Sequence, residues 1–197
     1  MQFKIKRTSV KISFSFLALV LLFAVTEKFN IYLLSLLCSV IHESAHVIAI
    51  LIFGGEISSI SLSALGGNIS RKNTKALSPV MEGVICICAP ILNILMYFIF
   101  ICFEKYTLFA QVNLVIGVFN LLPFYSFDGG AFLKIILTAI LNDTFAKRIV
   151  TVCSAVISVL FTAFSIYSYF YISKNILLVI FSLFMALSMV FKLKRRL

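Results

Sequence analysis

Residues 31–53 read IYLLSLLCSVIHESAHVIAILIF, an apolar run broken mainly by small polar residues and by the cluster His42-Glu43-Ser44-Ala45-His46. A helix that crosses the hydrocarbon core of a bilayer needs about 17–25 mostly apolar residues, and this run has that length. Similar runs occur at Ile12–Val25, Val84–Phe103 and Ile176–Phe191. Of the 197 residues, 62% are hydrophobic and 12% charged, whereas soluble domains are roughly half apolar and a quarter charged. The fold class this predicts is an all-α polytopic membrane protein with about six transmembrane helices and no water-soluble domain. Hydropathy and length place the spans at 11–26, 30–53, 79–103, 107–123, 146–171 and 175–192. The fourth is short and ends at Pro123, and an additional apolar helix is expected near 130–141. Broken segments at membrane depth are tolerated where they line a cavity or are buried in protein. The chain reads as one membrane domain over 1–197, with its motif-bearing core at 30–141.

The net charge of +10 has the look of nucleic-acid binding, but its distribution argues against that partner. Basic residues favour cytoplasmic loops. With both termini cytoplasmic, six spans put 14 of the 17 basic residues inside, leaving Lys28, Lys105 and Lys174 outside. Lys4, Lys6, Arg7 and Lys11 precede the first run as they would in a signal peptide. Glu27, Lys28 and Phe29 follow it in place of a small-residue cleavage pattern, so a retained helix is expected. The five cysteines, at 38, 86, 88, 102 and 153, form no CxxC pair and read as small residues of the membrane core.

After the second run, Ile57, Ile60 and Leu62 alternate with serines between the glycine pairs Gly54-Gly55 and Gly66-Gly67. This predicts a short strand followed by a turn at Gly66-Gly67.

His42 and His46 are the chain's two histidines. On a helix, positions four apart share a face about 5–6 Å apart, so both imidazoles reach one ion, and Glu43 is placed to act as general base. Ionisable residues inside a membrane cost about 2.5–3.5 kcal/mol each on insertion scales, so their grouping asks for a function. Zinc in a catalytic site takes three protein ligands and keeps one open position. No third histidine exists. Glu27 and Glu104 lie at outer boundaries, Asp143 sits in a polar turn resembling a helix cap, and Glu56 lies beyond the second span. Asp128, in the segment that follows the break at Pro123, is the expected third ligand, with Glu82 the next candidate. His42 and His46 lie about 7–11 residues from the inner end of their span, roughly 10–17 Å deep at 1.5 Å per residue.

Together these residues resemble the site-2 protease family of intramembrane zinc metalloproteases. That family pairs HExxH with NxxPxxxxDG on a later helix, matched here by Asn120, Pro123, Asp128 and Gly129. A Pro-x-x-Asn feature appears as Pro90 and Asn93, with Ala89 where the family often has glycine. The resemblance covers about residues 38–141 and is strongest to the compact six-span branch that includes the bacterial stage IV sporulation proteases. No CBS or PDZ domain is expected. The resemblance implies a Zn2+ enzyme, multi-pass in a bacterial cell membrane, that cleaves a membrane-embedded protein substrate. It also implies a regulatory membrane partner, and a role for Asn93 and Asn120 in holding substrate or the oxyanion. For Asn93 an interhelical hydrogen bond is the competing reading. The substrate classes it suggests are a membrane-tethered transcription regulator, an anti-sigma factor or a remnant signal peptide. An unwound substrate is expected to pair with the edge of the strand Ile57–Leu62. The competing classes are a membrane zinc transporter, for which no inverted repeat is visible, and a non-catalytic scaffold.

Overall fold

The structure is a computed structural model that describes residues 2–5, 8–12, 29–63, 66–72, 77–174 and 176–194. These residues form two compact units, Met1–Leu121 and Leu122–Leu197.

In the first unit, helix α1 (Phe29–Ile52) carries both histidines, α2 (Pro79–Phe100) follows, and α3 (Thr107–Leu121) completes a three-helix cluster in which each helix touches the other two. Most of what these helices bury is small or polar: Cys38 and Ala49 on α1, Gly83, Ala89, Pro90 and Asn93 on α2, Ala110, Asn113 and Gly117 on α3, with Ile50 and Ile85 the large apolar exceptions. What they leave exposed is large and apolar, as at Leu33, Leu51, Phe98 and Ile99, each more than half exposed. That is the pattern expected when lipid covers the outside and close backbone approach holds the inside. Gly117 shows the closeness: a Cβ there would lie 2.9 Å from the Pro90 carbonyl oxygen and 3.0 Å from an Ile94 side-chain carbon.

Helix α1 stops where Gly54 adopts a left-handed φ of 76°, a conformation natural to glycine. The N–H groups of Gly54 and Gly55 there bond the Leu51 and Ile50 carbonyls. The chain then enters β3 (Ile57–Ser63) and β4 (Gly66–Arg71), which join β1 (Gln2–Ile5) and β2 (Thr8–Ile12) in a four-stranded sheet of order β1-β2-β3-β4. The outer pairs are antiparallel and the central β2–β3 pair is parallel, with Ser9 opposite Ser59. Ile57 and Ile69 root the sheet in a cluster with Ala49, Ile50 and Ile85. Arg71 holds Glu82 through both carboxylate oxygens, at 2.7 and 2.8 Å, and Lys72 reaches Glu56 at 3.3 Å. Ser78 caps α2 by accepting the Met81 N–H, with Pro79 beginning the helix.

The sequence reading is changed here in four respects. The expected strand exists, but as one of four. Gly66 and Gly67, read as a turn, instead begin β4 opposite Ser63 and Leu62. Because β3 is paired on both sides, no edge of it is open to a substrate; the outer strands are β1 and β4. The basic N-terminal segment supplies β1 and β2 rather than a loop, and β2 occupies 11–12, where the first span was to begin. Residues 13–26, the rest of that span, lie outside the described residues.

In the second unit, α4 (Asp128–Ile140), α5 (Asp143–Ser168) and α6 (Ile176–Lys194) pack in sequence, α4 on α5 and α5 on α6. Asn142 caps α5 through the Phe145 N–H at 2.9 Å, and Lys134 and Lys147 pair with Asp143. The Ser165 and Ser182 hydroxyls join α5 to α6 at 2.7 Å with both residues fully buried.

Among the described residues, three helices are long and apolar enough to cross a membrane: Phe29–Ile52, Pro79–Phe100 and Asp143–Ile172. The segment Ile176–Val190 is apolar but shorter. Helix α3 has 15 residues, in keeping with the short fourth span.

Candidate metal centre

His42 and His46 stand one turn apart on α1, both buried, with ring centroids 5.1 Å apart and planes nearly perpendicular at 85°. A ligating nitrogen of one lies within 4.8 Å of a ligating nitrogen of the other, near enough to share an ion. Each ring is held through Nδ1. That of His42 lies 2.6 Å from Asn93 Oδ1 on α2, and that of His46 lies 2.7 Å from the Ile85 carbonyl oxygen, also on α2. Both partners are acceptors, so both rings carry their proton on Nδ1 and keep the Nε2 lone pair for a metal. This is the usual way a protein fixes the orientation of a ligating imidazole.

The Ile85 carbonyl lies just over one turn before Pro90 in α2. Pro90 sits inside that helix and has no N–H to offer the Cys86 carbonyl, the next one along the ladder. The Cys88 thiol also donates to the Ile85 carbonyl, at 3.2 Å, and lies 3.9 Å from His46 Nδ1.

Asn93 is fully buried. Its Nδ2 donates to Asn113 Oδ1 on α3 at 2.7 Å. Asn113 Nδ2 in turn donates to the Phe109 carbonyl at 2.9 Å and to Cys38 Sγ on α1 at 3.2 Å. Four side chains from three helices thus form one buried chain ending at His42. Asn113 and Cys38 were missed from sequence. The signal for Asn113 was available, since an amide inside an apolar helix needs a partner, but the partner is set by helix packing.

Glu43 follows His42 on α1 and is half-buried. Asn120, in the last turn of α3, donates its amide to the Ile116 carbonyl at 3.0 Å. Glu82 is engaged by Arg71.

Asp128 belongs to the second unit. It is the first residue of α4 and half-buried, where the helix N-terminus favours a carboxylate. A tight turn delivers it: the Phe127 N–H bonds the Phe124 carbonyl at 2.9 Å, and Gly130 and Ala131 N–H groups bond the Phe127 carbonyl at 3.1 Å. A Cβ at Gly130 would collide with the Phe124 carbonyl. Phe124 is buried, and the Tyr125 N–H bonds the Ser154 hydroxyl of α5 at 2.9 Å.

The family model for peptidase family M50 matches residues 102–164, a stretch that includes Asn120 and Asp128. No curated protein matches the chain. Among solved structures, the fold is similar to that of the site-2 protease from Methanocaldococcus jannaschii. The TM-score is 0.71 and the sequence identity 21%, covering 96% of this chain and 93% of the other. The resemblance read from the motifs points the same way as the partial family-model match and the shared fold.

Proposed function

We propose that this chain, a membrane protein of the site-2 protease (peptidase M50) fold, is an intramembrane zinc metalloendopeptidase that cleaves a membrane-spanning or membrane-associated protein. The observation that carries this reading is the pair of buried histidines, each committed at Nδ1 to an acceptor and bracketing Glu43 on one helix. Two neutral imidazole donors on one face suit zinc. His42 and His46 would hold the ion, with Asp128 as the third ligand on the strength of its motif. When bound, zinc supplies Lewis acidity, which acidifies water and polarises a peptide carbonyl. Glu43 takes the proton from the attacking water and returns it to the leaving amide nitrogen. Asn120 is proposed to orient substrate backbone. An unwound substrate would pair with an outer strand of the sheet, β4 being joined through Arg71 and Glu82 to the helix that supports both histidines.

The substrate class proposed is a membrane-tethered regulator, an anti-sigma factor or a remnant signal peptide. The setting proposed is a bacterial cell membrane, both termini cytoplasmic, with a regulatory membrane partner. The decisive experiment compares wild type with Glu43→Gln for zinc content and for cleavage of model transmembrane substrates. Wild type should bind about one zinc and cleave. The variant should keep the zinc and lose at least about a hundredfold in rate. Zinc bound by both with cleavage by neither points to a transporter or scaffold, and zinc flux in vesicles then separates those two.

A further inference from the structure

The chain of amides behind His42 has a direction, and a single backbone group sets it. The Phe109 carbonyl can only accept, so the end of Asn113 that faces it, at 2.9 Å, is the NH2 group. Asn113 Oδ1 therefore faces Asn93. An amide oxygen can only accept, so Asn93 presents its NH2 group there, at 2.7 Å. Asn93 Oδ1 is then turned to His42, at 2.6 Å, and the imidazole has to bring the proton on Nδ1. Each link leaves the next one orientation, and every amide in the series is fully buried, where an unmatched polar group costs about 1–3 kcal/mol. Cys38 Sγ, 3.2 Å from Asn113 Nδ2, accepts a weak second bond from the same group and closes the chain onto the helix that carries His42. Packing keeps the links in reach, because Gly117 lets α3 lie against the Pro90 carbonyl of α2.

We propose that Asn113, with Cys38 and the Phe109 carbonyl behind it, acts as a positioning residue that sets the tautomer of His42 through Asn93, leaving Nε2 as the donor to the metal. Asn93 then acts on the histidine and not on the substrate: it has no exposed surface, and both ends of its amide are engaged. If Asn113 loses its oxygen, the Asn93 amide is freed to turn over and offer its NH2 group to His42. The imidazole proton is then driven to Nε2, the atom needed for the metal. His46 has no such dependence, because its acceptor is the Ile85 backbone carbonyl.

The proposal rests on His42 being a metal ligand, so the test reads tautomer and metal separately. The chain has two histidines, and ring-nitrogen NMR of 15N-histidine-labelled protein, stripped of metal in nanodiscs, gives one signal set for each. In wild type both rings should show Nδ1–H. In Asn113→Leu the His42 set should move toward Nε2–H while the His46 set stays in place and reports an intact fold. Asn113→Asp, buried and so held protonated, donates its O–H to the Phe109 carbonyl in place of the amide, keeps an acceptor oxygen toward Asn93, and should retain the wild-type His42 set. Zinc affinity, by chelator competition, should fall about 10–100-fold in Asn113→Leu and much less in Asn113→Asp. His42 keeping Nδ1–H in Asn113→Leu, or losing it in Asn113→Asp, overturns the proposal. Should the tautomers behave as stated while wild type binds no zinc, the positioning chain stands and the metalloprotease reading fails.

Discussion

His42 and His46 share a helix, a face and a comparable burial, yet they are held by different kinds of partner. His46 leans on a backbone carbonyl of α2. His42 leans on a side chain, which leans on another, across three helices. A backbone acceptor cannot be deleted by substitution, whereas a relay of side chains can be broken at each link and is only as well placed as the helices that carry it. The His46 support is local to one helix pair; the His42 support measures how well the whole three-helix cluster is packed.

The strongest way to break this contrast is Asn93→Leu. It removes the His42 acceptor, leaves Asn113 Oδ1 buried without its donor, and leaves the His46 support alone. Zinc affinity should fall about 10–100-fold and stability by about 1–3 kcal/mol, read by chelator competition and by thermal unfolding in detergent. An unchanged affinity would mean that His42 is oriented by other contacts. Next comes Gly117→Leu, which touches neither histidine. The added side chain forces α3 away from Pro90 and Ile94, costing about 1–3 kcal/mol, and should shift the His42 ring signals while sparing those of His46. The smallest effect belongs to Arg71→Ala. It releases a half-exposed ion pair worth at most about 1 kcal/mol and should leave zinc affinity as it was. Loss of zinc in that variant would tie the sheet to the metal centre more tightly than the bonds described.

The parts of the molecule legible from sequence are those whose signal is periodic or dense. The spans 30–53, 79–103 and 146–171 reappear as α1, α2 and α5 within a few residues of their ends, because apolar length is a local property. The short fourth span and the extra helix near 130–141 also appear, as α3 and α4. HExxH was legible because helix geometry alone brings i and i+4 together. The four-stranded sheet was not, since β2 finds its partner β3 only across the intervening helix α1. Ser9-Val10-Lys11-Ile12 alternates, but its last residues had been absorbed into a predicted span. The amide chain was hidden for a related reason. Asn93 and Asn113 each stand out in an apolar helix, yet which acceptor meets which donor depends on the rotation of α2 against α3, and no single helix encodes that.

The parallel pairing of β2 with β3 has a consequence for biogenesis. β1 and β2 are made before α1 and can form their hairpin at once, as can β3 and β4 later, since both pairings are local. The seam between the hairpins, where Ser9 meets Ser59, closes only after α1 has been made, because β3 follows that helix in the chain and contacts distant in sequence bear the entropy of closing the loop between them. The edge of β2 that faces β3 therefore stays unpaired until the helix that bears both histidines and the strand after it have been made, and only then is the sheet complete.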